Sequence, residues 1–180
     1  TTVGTIIVKS LDISDEWYVY HRGTSSPNAT VMRLNGTYAE WNTAAWGTGP
    51  SSSDFGVSTA LFGTNRRHIA YLFAHNDGDG EFGPDGDADI IKCGSYTTDG
   101  SGNATVDLGF EPQWILAKNS GATGDWWLYD NMRGITTGVN DSFFKANEIG
   151  SEGSSLDLID LTSTGFKATY SGFNNATFIY

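Results

Sequence analysis

Two stretches of this chain repeat each other. Thr5-Ile6-Ile7-Val8-Lys9 aligns with Trp114-Ile115-Leu116-Ala117-Lys118. Without a gap, Glu16-Trp17-Tyr18-Val19-Tyr20 then aligns with Asp125-Trp126-Trp127-Leu128-Tyr129. All four runs are short and rich in aromatic and β-branched residues, which suit a pleated, half-buried surface. The stretches between them, residues 10–15 and 119–124, match in length and are turn-forming, so each pair reads as a β-hairpin. Further on, Arg22-Gly23 meets Arg133-Gly134 after two added residues. Asp54-Phe55 meets Gly165-Phe166, and Ile69-Ala70-Tyr71 meets Phe178-Ile179-Tyr180. Landmarks recurring in one order are the mark of a tandem architecture. The expectation is two duplicated modules, residues 1–75 (matched from about residue 4) and 113–180, joined by residues 76–112.

The joining segment reads as a Gly/Asp loop over 76–87, a strand over 90–96, a turn over 99–103 and a second strand over 105–108, together a connecting hairpin. No window keeps a helical period, and residues 140–147 have room for one short helical turn at most. Aromatic residues make up 13% of the 180 and charged residues 17%, which excludes disorder for most of the chain. The 23 Gly and four Pro fall without a G-X-Y period, which excludes collagen. The fold class expected is therefore all-β: an antiparallel β-sandwich, jelly-roll or lectin-like, in two tandem modules. Module two stops at Tyr180 in mid-strand, so the chain is expected to be a segment of a longer polypeptide.

A formal charge of −11 sets the chain against nucleic acid, whose phosphates require clustered Lys and Arg. Anionic membrane surfaces are disfavoured for the same reason. No apolar run approaches the roughly 20 residues of a spanning helix, and no charged segment followed by an apolar stretch opens the sequence. The one cysteine, Cys93, cannot form an internal disulfide and reads as a core thiol.

Candidate chemistry is sparse. Asp85, Asp87 and Asp89 alternate as in the first half of an EF-hand loop, a candidate Ca²⁺ site, although Ile90 replaces the Gly such a loop needs. A solvated acidic loop explains the same residues. On either reading no cofactor is required. Glu16 and Asp125 hold matched hairpin positions beside Trp, and that equivalence speaks for packing or turn chemistry over a glycosidase acid pair. None of His21, His68 and His75 lies in a nucleophile motif or at metal-ligand spacing. The sequons at Asn28, Asn35, Asn103, Asn140 and Asn175 follow from composition. Of the aromatics, Trp127, Tyr18, Trp41 and Trp46 are candidates for glycan stacking or subunit contact, because adjacent strand residues point to opposite faces.

The runs Gly109-Phe110-Glu111-Pro112-Gln113-Trp114 and Asp125-Trp126-Trp127-Leu128-Tyr129-Asp130-Asn131-Met132-Arg133-Gly134 occur with Leu161-Thr162-Ser163-Thr164-Gly165-Phe166 and Ile90-Ile91-Lys92-Cys93-Gly94-Ser95-Tyr96. Together they resemble a domain of tailed-bacteriophage virion proteins, many from marine and cyanobacterial phages and often in tail fibres. The match is good over module two and the connector and looser over module one, where His21-Arg22-Gly23 departs from the Asp-x-x-Arg-Gly form. The resemblance implies a non-enzymatic structural role at the virion surface, assembled in the host cytoplasm, and brings no catalytic residues. The partners it implies are further copies of the chain, other virion proteins or a host surface glycan. Rival readings are a lectin-like adhesin, a carbohydrate-active enzyme and a subunit of an extracellular filament. Asp130, Arg133 and Gly134 are expected to brace a turn, and Gly109 and Pro112 to punctuate the approach to the Trp114 strand.

Overall fold

A computed structural model describes residues 2–135 and 137–180. The chain is all-β, built from antiparallel sheets, and divides into two compact units, Thr1–Gly94 and Ser95–Tyr180. The boundary falls inside the segment read as a connector, so residues 76–94 belong to the first unit and 95–112 to the second.

In the first unit, β1 (Thr2–Ser10), β2 (Trp17–His21), β3 (Thr30–Arg33), β4 (Trp41–Asn42) and β5 (His68–His75) form one sheet in the order β4-β3-β2-β1-β5. The connections are those of a meander closed by a returning strand, in place of the Greek-key crossings of a jelly roll. Along β1 the buried residues Gly4, Ile6, Val8 and Ser10 alternate with half-buried ones, the period of two that a one-sided sheet imposes. The hairpin pairs Lys9 with Trp17 and Thr5 with His21. Asp15 fixes its turn: Oδ1 accepts from the Glu16 amide and the Tyr18 hydroxyl, while Lys9 Nζ donates to the Asp15 carbonyl at 2.7 Å.

No second sheet covers this one. Residues 43–62 lie across it as an irregular segment ending in a four-residue helix, α1 (Thr59–Phe62), whose first turn is capped by the Ser58 hydroxyl accepting from the Ala60 amide. Trp46, fully buried, donates from Nε1 to the Thr30 carbonyl at 2.8 Å and packs against Tyr20 and Phe62 over Ile6, Val8 and Val31. Asp54-Phe55, matched in sequence to the strand residues Gly165-Phe166, lies in the irregular segment, although Phe55 still packs on the core.

The second unit is a true sandwich. One sheet contains β6 (Ser95–Thr97), β8 (Trp114–Asn119), β9 (Trp126–Asp130), β10 (Asp141–Lys145), β11 (Gly153–Leu156) and β14 (Thr177–Ile179), in the order β11-β10-β9-β8-β14-β6. The other contains β7 (Ala104–Asp107), β12 (Ile159–Thr162) and β13 (Gly165–Ala168), in the order β12-β13-β7. Ile115, Ala117, Trp127, Tyr129, Phe143 and Phe178 from the first sheet meet Val106, Ile159 and Phe166 from the second. Gly165 lets the backbones come close, for a Cβ there would sit 1.9 Å from the Val106 carbonyl oxygen.

Residues 140–147, where the sequence left room for one helical turn at most, hold β10. One expectation fails for a local reason, since the connecting hairpin does not form: residues 90–94 lie outside any strand, and β6 pairs with β14 while β7 pairs with β13. The turn at residues 99–103 survives, with Asp99 accepting from the Ser101 and Asn103 amides, but it sends the chain from one sheet to the other.

The large sheets of the two units share a strand order through five strands, and their hairpins share a register. Lys118 pairs with Trp126 and Trp114 with Asp130, the pairs Lys9–Trp17 and Thr5–His21 moved on by 109 positions. The closing strands match one residue earlier than the sequence alignment has them: Ser10 faces His68, and its counterpart Asn119 faces Phe178, so His68 and not Ile69 corresponds to Phe178. The likeness stops at the sheet and does not extend to the layer that covers it.

Asp141 ties the two layers of the second unit together. It is fully buried, and Oδ2 accepts from the Leu158 and Ile159 amides at 2.7 and 2.9 Å, where the chain passes from β11 to β12. Asp141→Ala would leave two buried amides without their acceptor, and is expected to lower stability by about 2–5 kcal/mol, measured by urea unfolding.

Candidate functional site

The turn that follows β9 carries the densest polar network. Asp130 Oδ1 accepts from the Arg133 amide at 2.9 Å, and Oδ2 accepts from Arg133 Nε and Nη2, both at 2.6 Å. The guanidinium also lies 3.7 Å from Glu152 Oε2 and sits 4.1 Å over the Phe144 ring. Desolvation would raise the Asp130 carboxyl, but the Arg133 hydrogen bonds prevail and hold it below the usual aspartate range. Gly134 takes φ +108°, the left-handed region that Gly permits. Gly109 takes φ +82°, its amide held by Asp107 and the Thr164 carbonyl, and Pro112 is buried two residues before β8. Asp130, Arg133 and Gly134 thus lie in one turn, and Gly109 and Pro112 on the approach to β8. In the first unit His21 occupies the register of Asp130, and its Nδ1 accepts from the Gly23 amide at 3.0 Å. An imidazole nitrogen thus takes over part of the carboxylate's role.

The three acids of the acidic loop do not converge. Asp89 turns its carboxylate inward, accepting from the Gly78 amide at 2.7 Å and the Gly80 amide at 2.9 Å. Asp85 and Asp87 lie exposed on a turn at Gly86, whose φ is +70°. The alternating pattern would have aligned the three side chains only on an extended backbone. Among the described residues, no group of three or more His, Cys, Asp or Glu side chains is placed to hold a metal ion.

The four aromatic candidates are not surface rings. Tyr18, Trp46 and Trp127 sit in the two cores, and Trp41 is half-buried beneath the Arg33 guanidinium at 4.5 Å. Trp127 packs edge-on against Phe143 and Phe173. Its neighbour Trp126 points to the other face of the strand and is buried as well. The exposed large aromatics are others, chiefly Trp114, Tyr38 and Tyr71.

Glu16 and Asp125 are each engaged by side chains on or just after the strand that follows their hairpin. Glu16 accepts from Asn35 Nδ2 and approaches Arg33. Asp125 pairs with Lys145 Nζ at 2.8 Å and accepts from Asn147 Nδ2 at 2.9 Å. A cleft of about 690 Å³ in the first unit is lined by Tyr20, Arg22, Asn28 and Ser51 among others, and neither acid is among its lining residues.

Sequence reasoning missed Lys118. This lysine is fully buried, and Nζ donates to the Asn119 and Ala122 carbonyls at 2.8 and 3.2 Å. Burial pushes its pKa from 10.5 down to about 8, against the opposite pull of Asp125. Between those two values the unfolded chain binds more protons at this site than the folded one, so this group makes stability rise with pH. Cys93 and Tyr18, both raised chiefly by burial, act in the opposite sense once the unfolded thiol and phenol begin to ionise. The readout is therefore a difference. From pH 8 to pH 10 the stability of the wild-type chain is expected to gain on that of Lys118→Met, as measured by chemical denaturation of both.

Over residues 1–180 the chain matches the model of a protein family described as a domain of unknown function (DUF7483). No curated protein and no solved structure matches it.

Proposed function

The chain belongs to the DUF7483 family, and we propose that it is a non-enzymatic structural module of a virion surface protein: a tail fibre, a spike or a capsid-surface appendage. Where the motif residues go carries this reading. Asp130 and Arg133 are bonded to each other, Gly109 and Gly134 turn the chain, and the hairpin acids Glu16 and Asp125 are tied to neighbouring Arg, Lys and Asn side chains. Residues committed in this way hold a shape and are not positioned to react. The single thiol, buried at Cys93, is in keeping with assembly in a reducing cytoplasm before display outside the cell. The resemblance of Phe110 to Gly134 to virion domains supplies the setting.

Purified particles of a phage encoding the chain are expected to contain it in multiple copies by quantitative mass spectrometry, with immunogold label on the particle surface. Absence from particles, or release of reducing sugar that is lost on Asp125→Asn, would overturn the proposal.

A second reading, attachment to a host glycan, draws on the exposed rings and not on the four aromatics singled out in the sequence. Trp114, 52% exposed at the start of β8, is its best anchor. Binding on a glycan array that disappears with Trp114→Ala while the melting temperature holds would favour this reading, and no binding would dismiss it.

A further inference from the structure

β5 is an edge strand with a run of exposed apolar side chains. From His68 to His75 it contains no Asp, Glu, Lys or Arg. Ile69, Tyr71, Leu72 and Phe73 are each more than a third exposed, and Leu72 is 53% exposed. Solitary edges are normally blunted by charge, proline or a bulge, because a row of unpaired amides and carbonyls recruits another strand. β5 contains neither charge nor proline, and the one irregularity in its ladder falls opposite its end, between Val3 and Thr5 of β1.

The phase of the ladder shows which groups are on offer. The Leu11 amide donates to the Arg67 carbonyl, and the pairs Lys9–Ile69, Ile7–Tyr71 and Thr5–Phe73 continue that register. In an antiparallel ladder, residues bonded to the partner strand alternate with residues facing away. As far as Phe73 the odd-numbered residues of β5 therefore bond to β1, and the main-chain groups of His68, Ala70 and Leu72 point outward; past Phe73 the ladder shifts register and the Ala74 carbonyl accepts from Cys93 Sγ at 3.6 Å. Beyond them the Asn76 amide is already used by the Ile91 carbonyl.

The second unit shows what occupies such an edge. Its β14, the counterpart of β5, pairs with β8 on one side and with β6 on the other. β6 lays Tyr96 flat on Phe178, ring centroids 5.4 Å apart, and sets Thr97 against Thr177. Among the described residues β5 has the same inner partner and no outer strand, only residues 91–93 bonded at its far end.

We infer that β5 pairs antiparallel with β5 of a second copy of this chain, joining the two five-stranded sheets into one across a two-fold axis at Tyr71. In that register Ala70 exchanges main-chain bonds with Leu72 of the other copy. On one face, Tyr71 lies beside its own counterpart and Ile69 beside Phe73. Charge at the strand ends bears on direction through Arg66, exposed before the strand, because Arg67 and Asp77 are already paired with Asp12 and Lys92 of the same copy. An antiparallel two-fold keeps the two Arg66 side chains apart, whereas a parallel arrangement would set them together. The contact is isologous and closes after two copies.

This inference deepens the structural proposal and rests on it only in requiring self-association. Failure of the contact leaves particle incorporation, which is measured separately, untouched.

The test uses the 180-residue chain. Sedimentation equilibrium is expected to give twice the 19.4 kDa of the monomer. Leu72→Pro removes an outward amide without touching the β1 ladder, so it is expected to return the mass to that of the monomer with the melting temperature retained. Tyr71→Cys places two thiols directly opposite in a non-hydrogen-bonded pair, and mild oxidation is expected to yield a disulfide-linked dimer. Ile149→Cys, fully exposed elsewhere, is the control and should not yield one. A wild-type chain that stays monomeric, a dimer indifferent to Leu72→Pro, or Tyr71→Cys cross-linking no better than the control would each overturn the contact. Should Leu72→Pro fail to fold, the Tyr71→Cys result decides.

Discussion

Hairpin register is the constraint on which both units depend. Pairing Lys9 with Trp17, and Lys118 with Trp126, sends Tyr18 and Tyr20 into one core and Trp127 and Tyr129 into the other. A slip of one residue would put each of these rings on the opposite face of its sheet and take two aromatic rings from each core. Turn chemistry in both hairpins opposes that slip. Asp15 fastens the first hairpin through the Glu16 amide and the Tyr18 hydroxyl. Asn119 fastens the second through the amides of Gly121 and Ala122.

The strong negative charge has the same origin. Carboxylates occur where the main chain must change direction with amides unpaired: Asp89 beneath the glycine loop, Asp99 between sheets, Asp107 before Gly109, Asp130 after β9 and Asp141 inside the sandwich. A charged acceptor makes a stronger bond to an amide than a neutral one does, and a short aspartate reaches its own neighbourhood easily. An acidic composition of this kind is a by-product of many tight turns. It need not signal a cation site or an acid pair.

Much of the sheet was legible in the sequence, because strand alternation and hairpin spacing are local. The two hairpins, their matched register and the motif turn at Asp130 to Gly134 all follow from residues within a few positions of one another. What escaped depends on distant partners. Whether Tyr18 or Trp127 faces water is decided by the layer laid over it, and in the first unit that layer is an irregular segment with no strand signature. Residues 140–147 left room for a helical turn until Trp126, Trp127 and Leu128 supplied an edge for them to join. Asp85, Asp87 and Asp89 resembled ligands, but the positive φ of Gly86 turns them apart. Lys118 gave no signal, since a lysine at a strand end is ordinarily wet. The exposed flank of β5 was readable only once its counterpart β14 was seen to carry a further strand.

The irregular cover of the first unit has a mechanical consequence. A sheet laid on a sheet is held by ladders along its whole length, and it separates only when many bonds fail together. The covering segment is held by side chains, Trp46, Phe55, Leu61 and Phe62, and by a few main-chain bonds at Thr43 and Trp46, so it can lift locally from Ile6, Val8 and Val31 while the ladders of the sheet beneath stay intact. Partial opening of this kind lies at the low end of the free-energy scale for native fluctuations. The two halves of the chain are thus unequal in toughness, with one yielding by degrees and the other resisting until it fails outright.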